Sequence, residues 1–110
     1  GVDYPAPEGT GALAVSEGRV IERGKNDISG NYLALSIYKN GVDTGFTAQY
    51  LHLRDDNILV NRGDVVTSGQ KIAEVGKTGR VTGAHLHFIL KDSRGVPRDA
   101  RKVAAVLDIK

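Results

Sequence analysis

Two of the three histidines in this chain stand two residues apart, in the run Gly-Ala-His-Leu-His-Phe at 83–88. If this run is a β-strand, the side chains of His85 and His87 project from the same face, because successive residues of a strand alternate between its two faces. Two imidazoles on one face can bind one metal ion together, or one can bind the metal while the other moves protons. The spacing alone leaves both arrangements open, and also a chance pairing of surface histidines.

The third histidine, His52, stands in the run Tyr-Leu-His-Leu at 50–53. This run predicts a strand in which His52 shares a face with Tyr50. Taken alone, a histidine in an apolar run is more often a hydrogen-bonded structural group than a catalyst. All three histidines, however, lie at the ends of predicted core strands, which favours a common role.

A carboxylate that can join these histidines is Asp3, which precedes a segment stiffened by Pro5 and Pro7. A single aspartate near the start of a chain is usually a solvated surface group. The chain contains no cysteine, which excludes disulfides, thiol nucleophiles and thiolate metal ligands. Any zinc site must therefore use histidine and carboxylate, the ligand set that is commoner in catalytic than in structural zinc sites.

Length and composition predict one globular domain with a single core, since the chain has 110 residues, 40% hydrophobic and 25% charged. No apolar run approaches the length of a membrane span. The net charge is only +2, and four tyrosines and two phenylalanines are the only aromatic side chains. These numbers argue against nucleic acid as a partner, because single-strand binding needs a basic groove with aromatic stacking platforms.

The elements that must position the histidines are short alternating apolar runs separated by glycine-rich turns, a pattern typical of an all-β domain. The Asn-Gly pair at 40–41 predicts a tight hairpin turn. We expect its return strand to begin at residue 47, after a longer connection through 43–46. Composition favours one short helix, over residues 99–107. The predicted strands cover residues 19–22, 32–38, 47–53, 71–75 and 84–91.

Several sequence blocks follow one another in a specific order and spacing. They are an opening block at 1–10, a strand pair at 14–20, a strand start at 30–32, the His52 block at 50–53, glycine turns at 63–70 and a closing block at 76–88. Together they resemble the M23 family of zinc metallopeptidases, the lysostaphin- and LytM-type endopeptidases that cut bacterial cell-wall peptides. The resemblance implies an antiparallel β-sandwich, related to barrel-sandwich folds, with a Zn²⁺ site in a groove between loops.

Carried over to this chain, the resemblance implies that Asp3 and His87 are zinc ligands. It makes His52 and His85 the catalytic histidines that do not bind the metal. Zinc then polarises the scissile carbonyl and a bound water, one histidine takes the proton of the water, and the other stabilises the oxyanion.

The family also has a ligand histidine four residues before the aspartate, which falls upstream of Gly1. We therefore expect residues 1–110 to be a single M23-like peptidase domain that is N-terminally truncated just inside the metal-binding motif. Other domains or subunits of a larger protein are then expected partners. Two further departures, Ala84 in place of a common proline and Ile89 in place of a frequent glutamate, do not affect a ligand.

The function implied by the resemblance is zinc-dependent hydrolysis of peptidoglycan stem or cross-bridge peptides. The protein would act as a secreted or envelope hydrolase of a bacterium, or as a wall-penetrating module of a phage virion. Two alternatives stay open. One is a catalytically inactive LytM-like module that binds or activates a partner. The other is a histidine phosphocarrier of related β-architecture, which would need neither a metal nor Asp3.

Overall fold

The computed structural model describes residues 2–98 and residue 107. Within these residues the chain forms nine β-strands and no helix, and no helix there could cross a membrane. The helix expected over 99–107 lies outside the described residues, apart from Leu107, which makes a single bridge to Ala12. The strands are β1 (Val2–Pro5), β2 (Gly11–Leu13), β3 (Gly18–Asn26), β4 (Gly30–Lys39), β5 (Val42–Leu53), β6 (Val65–Val66), β7 (Lys71–Glu74), β8 (His85–Lys91) and β9 (Pro97–Arg98).

The strands form two antiparallel sheets that share one core. The large sheet has the order β1-β8-β5-β4-β3-β6, with β9 paired to β8, and the small sheet pairs β2 with β7. Ile72 and Ala73 of the small sheet belong to the same buried cluster as Leu33, Tyr50 and Phe88 of the large one. The predicted all-β antiparallel sandwich is therefore confirmed.

Strand alternation decides which side chains of β8 face the core. Leu86, Phe88 and Leu90 are buried, whereas His85 and His87 are half-buried on the opposite face. The alternation thus has the expected period of two, with the histidines facing away from the core. β1 pairs with β8 so that Asp3 lies directly opposite His87.

The hairpin between β4 and β5 is tighter than expected. Asn40 and Gly41 have φ values of 51° and 79°, as a two-residue turn requires. β5 begins at Val42, so the longer connection predicted through 43–46 was wrong. Pairing resumes at once, with Asp43 opposite Tyr38, and the extra residues form a bulge within the ladder.

β3 also extends beyond its predicted end. The sequence suggested a strand from 19 to 22 that stops at Gly24, yet the ladder with β4 continues to Asn26. Gly24 pairs with Tyr32, and a Cβ at this glycine would lie 2.5 Å from the Tyr32 hydroxyl. Gly24 is therefore not the end of β3 but the position at which the Tyr32 side chain of β4 crosses it.

Tyr50 connects the large sheet to the end of β2 and to the segment that follows it. Its hydroxyl accepts a hydrogen bond from the Val15 backbone N–H and donates one to the Leu13 carbonyl, both at 2.9 Å. The ring packs edge-on against Phe88, with centroids 5.1 Å apart. Burial raises the pKa of Tyr50 well above its usual range.

We expect Tyr50→Phe to lower the free energy of unfolding by about 1–3 kcal/mol, because the buried Val15 N–H loses its partner. The substitution should also flatten the pH dependence above about pH 10, where unfolded tyrosine ionises. There the unfolded chain releases a proton that folded Tyr50 keeps, so wild-type stability falls as pH rises. Urea unfolding at pH 7 to 11 measures both effects. Tyr38→Phe is the control. An equal loss of unfolding free energy in the two variants would show that the buried hydrogen bonds of Tyr50 are not the cause.

Candidate active site

The pairing of β1 with β8 brings a carboxylate against two imidazoles. Asp3 Oδ1 lies 2.6 Å from His87 Nδ1 and 3.4 Å from His85 Nε2. The hydrogen bond from His87 lowers the pKa of Asp3; desolvation opposes this effect, and the nearby histidine rings add smaller contributions that lower it further. Asp3 is therefore an ionised carboxylate that faces the His87 ring nitrogen.

His52 reaches the same place by an irregularity of β5. Leu33 pairs with Tyr50 and Asn31 with Leu53, so β5 carries one extra residue here. His52 has φ 65°, a left-handed conformation that is uncommon outside glycine. The expectation that His52 shares the face of Tyr50 was wrong, because this bulge breaks the alternation of the strand.

The bulge turns the His52 ring towards the other two histidines. Its centroid lies 5.1 Å from that of His85 and 6.3 Å from that of His87. Burial lowers the pKa of His52, aided by the neighbouring histidines and opposed mainly by a hydrogen bond to Thr78. The ring is therefore neutral at neutral pH and able to accept a proton.

Backbone carbonyls determine which nitrogen of each ring faces the groove. His52 Nδ1 lies 2.9 Å from the Thr78 carbonyl oxygen, and His85 Nδ1 lies 3.1 Å from that of Gly83. Because a carbonyl oxygen only accepts, Nδ1 of each ring is the donor. The Nε2 atoms of His52 and His85 are thereby left for chemistry, while His87 presents Nδ1 to Asp3.

The loop at 76–83 is held tightly against the β3–β4 turn. The Thr78 hydroxyl donates to the Leu53 carbonyl and accepts from the Asn31 backbone N–H. Gly79 has φ 81°, and a Cβ there would lie 2.3 Å from the Gly30 backbone nitrogen. This close contact fixes the Thr78 carbonyl that orients His52.

Gly79→Ala is expected to destabilise the protein by more than about 1 kcal/mol, since alanine would be strained at this φ and would collide with backbone. Activity should fall with it, because the Thr78 carbonyl shifts away from His52. Gly83→Ala in the same loop is the matched control, since open space surrounds a Cβ there. Thermal melts and activity of both variants measure this. Equal behaviour of the two would refute the packing argument.

All four site residues predicted from the sequence line one open groove of about 420 Å³. The structure therefore brings Asp3, His52, His85 and His87 together. Three further residues that line the groove were missed by the sequence analysis: Arg80, Val81 and Thr82. The signal that could have found them is their place in a glycine-containing loop directly before the paired histidines.

The donor atoms partly fit a zinc site. Asp3 Oδ1 and His87 Nδ1 are both typical zinc ligands, and the proton of the 2.6 Å hydrogen bond between them would leave when both bound one metal ion. Among residues 2–98 and 107, no group of three or more histidine, cysteine or acidic side chains is arranged to hold a metal. The described residues thus supply two protein donors, whereas catalytic zinc usually has three.

Comparison with known proteins assigns this β-sandwich to a family. The model of Peptidase family M23 matches residues 1–100. The peptidoglycan DD-endopeptidase ShyB of Vibrio cholerae is 43% identical over 106 residues, which cover 93% of this chain and 22% of ShyB. The chain belongs to peptidase family M23, as the sequence predicted.

Solved structures agree with this assignment. A zinc-containing peptidase from Vibrio cholerae superposes with a TM-score of 0.80 at 40% identity, over 96% of this chain and 30% of that one. The catalytic domain of lysostaphin from Staphylococcus simulans gives 0.78 at 33% identity, over 92% and 74%. The chain spans about a fifth of the length of the curated relatives named ShyA, ShyB and ShyC.

Proposed function

We propose that this chain is the peptidase domain of a zinc-dependent endopeptidase that hydrolyses peptide bonds in bacterial peptidoglycan. The observation that carries the proposal is the ionised Asp3 facing His87 Nδ1, with Nε2 of His52 and His85 beside them in one groove. Similarity to ShyB, a peptidoglycan DD-endopeptidase, and to the zinc-containing peptidase from Vibrio cholerae supports the proposal.

Asp3 and His87 are the residues that would hold the metal. Bound zinc supplies a Lewis acid that polarises the scissile carbonyl and lowers the pKa of a water to about 7. In the metal-free site the hydrogen bond from His87 lowers the pKa of Asp3, so the carboxylate is ionised, as a ligand must be.

His52 is proposed as the general base. Its Nδ1–H is committed to the Thr78 carbonyl, so Nε2 is the atom that accepts a proton from the attacking water and later passes it to the leaving amine. His85, held through Nδ1 by the Gly83 carbonyl, presents Nε2 to the groove, and this atom would donate to the developing oxyanion when the ring carries a proton on both nitrogens. Removal of either histidine ring is expected to lower the rate of hydrolysis without loss of the metal.

The third zinc ligand is proposed to be a histidine four residues before Asp3, contributed by residues that precede Gly1 in the encoded protein. The support is the donor count: two donors are described, and a catalytic zinc usually takes three plus an open position for water. The chain would then be one domain of a larger protein that acts in the bacterial envelope or is delivered to it.

We expect the 110-residue chain alone to bind zinc weakly and to hydrolyse little, and a form extended upstream of Gly1 to recover both properties. Calorimetric zinc titration of the two forms measures the difference in affinity. A matched control is the extended form with that histidine changed to alanine. Equal affinity of all three proteins would show that the upstream residue is not a ligand.

Digestion of purified peptidoglycan by the extended, zinc-loaded protein tests the proposed reaction. Mass spectrometry of the soluble products should show new amino termini within stem or cross-bridge peptides, with the glycan chains intact. Products with cleaved glycan bonds would contradict the endopeptidase assignment. An intact polymer in the presence of a zinc-loaded protein would favour a module that binds its substrate without cleaving it.

A further inference from the structure

A second concavity, distinct from the catalytic groove, lies where β3 faces the segment after β5. Its volume is about 520 Å³, slightly larger than that of the catalytic groove. The residues that line it differ entirely from those of the catalytic groove. They include Arg23, Lys25, Asn31, Asp55, Ile58 and Arg62.

The charge of this concavity is only partly compensated. Lys25 pairs with Asp55 at 2.7 Å, and Asp55 also accepts a hydrogen bond from the Asn31 amide at 2.8 Å. In the described part of the chain, no ion pair joins Arg23 or Arg62 to a carboxylate. The concavity therefore attracts anions.

Three other carboxylates close in sequence to the lining residues have partners of their own. Asp56 pairs with Arg54 at 3.2 Å, Asp64 accepts a hydrogen bond from the Asn61 backbone N–H at 2.8 Å, and Glu22 accepts one from the Tyr32 hydroxyl at 3.0 Å. None of these three carboxylates lines the concavity.

Arg23 is held in an orientation suited to a carboxylate. Its Nη1 donates to the Val60 carbonyl at 3.0 Å and to Asn61 Oδ1 at 2.6 Å. Both acceptors are neutral, so they fix the guanidinium without cancelling its charge. No described residue bonds to Nε or Nη2, and these two atoms form the planar fork that binds a carboxylate through two parallel hydrogen bonds.

The strand that carries Arg23 also has an open edge. β4 pairs with one side of β3 along its whole length, while β6 pairs with the other side only at Gly18 and Arg19. Val20 bonds to the segment at 63–64. Among the described residues, none pairs its backbone with this outer edge from 21 to 26. Such an edge can accept an extended peptide as an additional strand.

We propose that this concavity is a second binding site, which takes an extended acidic peptide. The peptide would add its backbone to the open edge of β3 and place a carboxylate on the Nε/Nη2 fork of Arg23, with Arg62 contributing further positive charge. Ile58, which packs against the core, offers an apolar contact to the peptide.

Fluorescence anisotropy with two labelled peptides tests the proposal on the zinc-loaded protein. One is Thr-Val-Thr-Val-Glu with a free C-terminal carboxylate, and the other is Thr-Val-Thr-Val-Gln with a C-terminal amide. The acidic peptide should bind at least about tenfold more tightly, as loss of charge-assisted hydrogen bonds implies. Mass spectrometry confirms that the probes stay intact, so the readout does not depend on hydrolysis.

Variants locate the site. Arg23→Gln and Arg62→Gln should each remove most of the preference for the acidic peptide. Arg19→Gln is the matched control, because it makes the same charge change on the same strand outside the concavity. Arg62→Gln keeps the test valid if the Arg23 variant unfolds, since Arg62 makes no hydrogen bond or ion pair within the described residues.

Hydrogen–deuterium exchange supplies the independent readout for strand addition. Saturation with the acidic peptide should slow exchange in the segment 20–26. The proposal is overturned if both peptides bind equally, if Arg19→Gln has the same effect as the other variants, or if the segment 20–26 exchanges unchanged. Binding of inorganic polyphosphate in place of the peptide would show a general anion site and would also overturn it.

Discussion

In the form extended upstream of Gly1, His52→Ala is expected to lower kcat by about 10²- to 10⁴-fold, the usual contribution of a general acid–base group, while the zinc content stays unchanged. The reason is that His52 Nε2 faces the groove, with its Nδ1–H committed to the Thr78 carbonyl and its pKa lowered by burial. The groove then has a ligand pair but no base. Steady-state hydrolysis of a peptidoglycan-derived peptide and metal analysis of the same preparation measure the two quantities.

His52→Asn separates chemistry from folding. His52 has φ 65°, and asparagine tolerates this left-handed conformation better than alanine does. The asparagine variant should keep the bulge and the melting temperature, yet lose activity to a similar extent. A loss of less than about tenfold, or a lower melting temperature at unchanged specific activity, would make His52 a structural group instead.

The paired histidines of β8 should respond differently to the same substitution. His87→Ala is expected to abolish zinc binding and hydrolysis together, because His87 Nδ1 faces the Asp3 carboxylate at 2.6 Å. His85→Ala is expected to keep zinc and to lose most of the activity, because its Nδ1 is bound to the Gly83 carbonyl and only its Nε2 faces the groove. Metal content determined by mass spectrometry, with turnover on the same peptide, distinguishes the two roles.

Asp3→Asn completes this set. It retains the shape of the side chain but removes the charge, so we expect it to behave like His87→Ala. Equal loss of metal from the His85 and His87 variants would contradict the division of roles. Retention of zinc by the His87 variant would show that His87 is not a metal ligand.

The sequence could predict which side chains share each face of β8, because alternation is a local property of a strand. Leu86 and Phe88 define the core face, so His85 and His87 must share the other one. The hairpin turn was equally local, since Asn40 and Gly41 tolerate the positive φ values that it requires. The antiparallel sandwich was expected from the resemblance to a known family.

The orientation of His52 could not be predicted in this way. Alternation places it with Tyr50, and only the bulge reverses it. That bulge depends on contacts from distant segments: the His52 N–H donates to the Ser29 carbonyl, and Thr78 holds both the ring and the Leu53 carbonyl. No pattern within residues 50–53 contains this information.

The open edge of β3 was hidden for a similar reason. Residues 21–26 read as a strand followed by a turn, and whether an edge is covered depends on which other strands lie beside it. The short β6 stops at Val66 and covers only Gly18 and Arg19. The fork of Arg23 is likewise positioned by Val60 and Asn61, 37 and 38 residues further along the chain.

The decisive measurement is a zinc titration of the metal-free protein, extended to include the residues that precede Gly1, with release of soluble peptides from peptidoglycan recorded at each step. Hydrolysis should rise in proportion to added zinc and reach its maximum at one zinc per chain. Asp3→Asn should abolish this response. Full hydrolysis by the metal-free protein, or an intact polymer at saturating zinc, would contradict a zinc endopeptidase centred on Asp3 and His87.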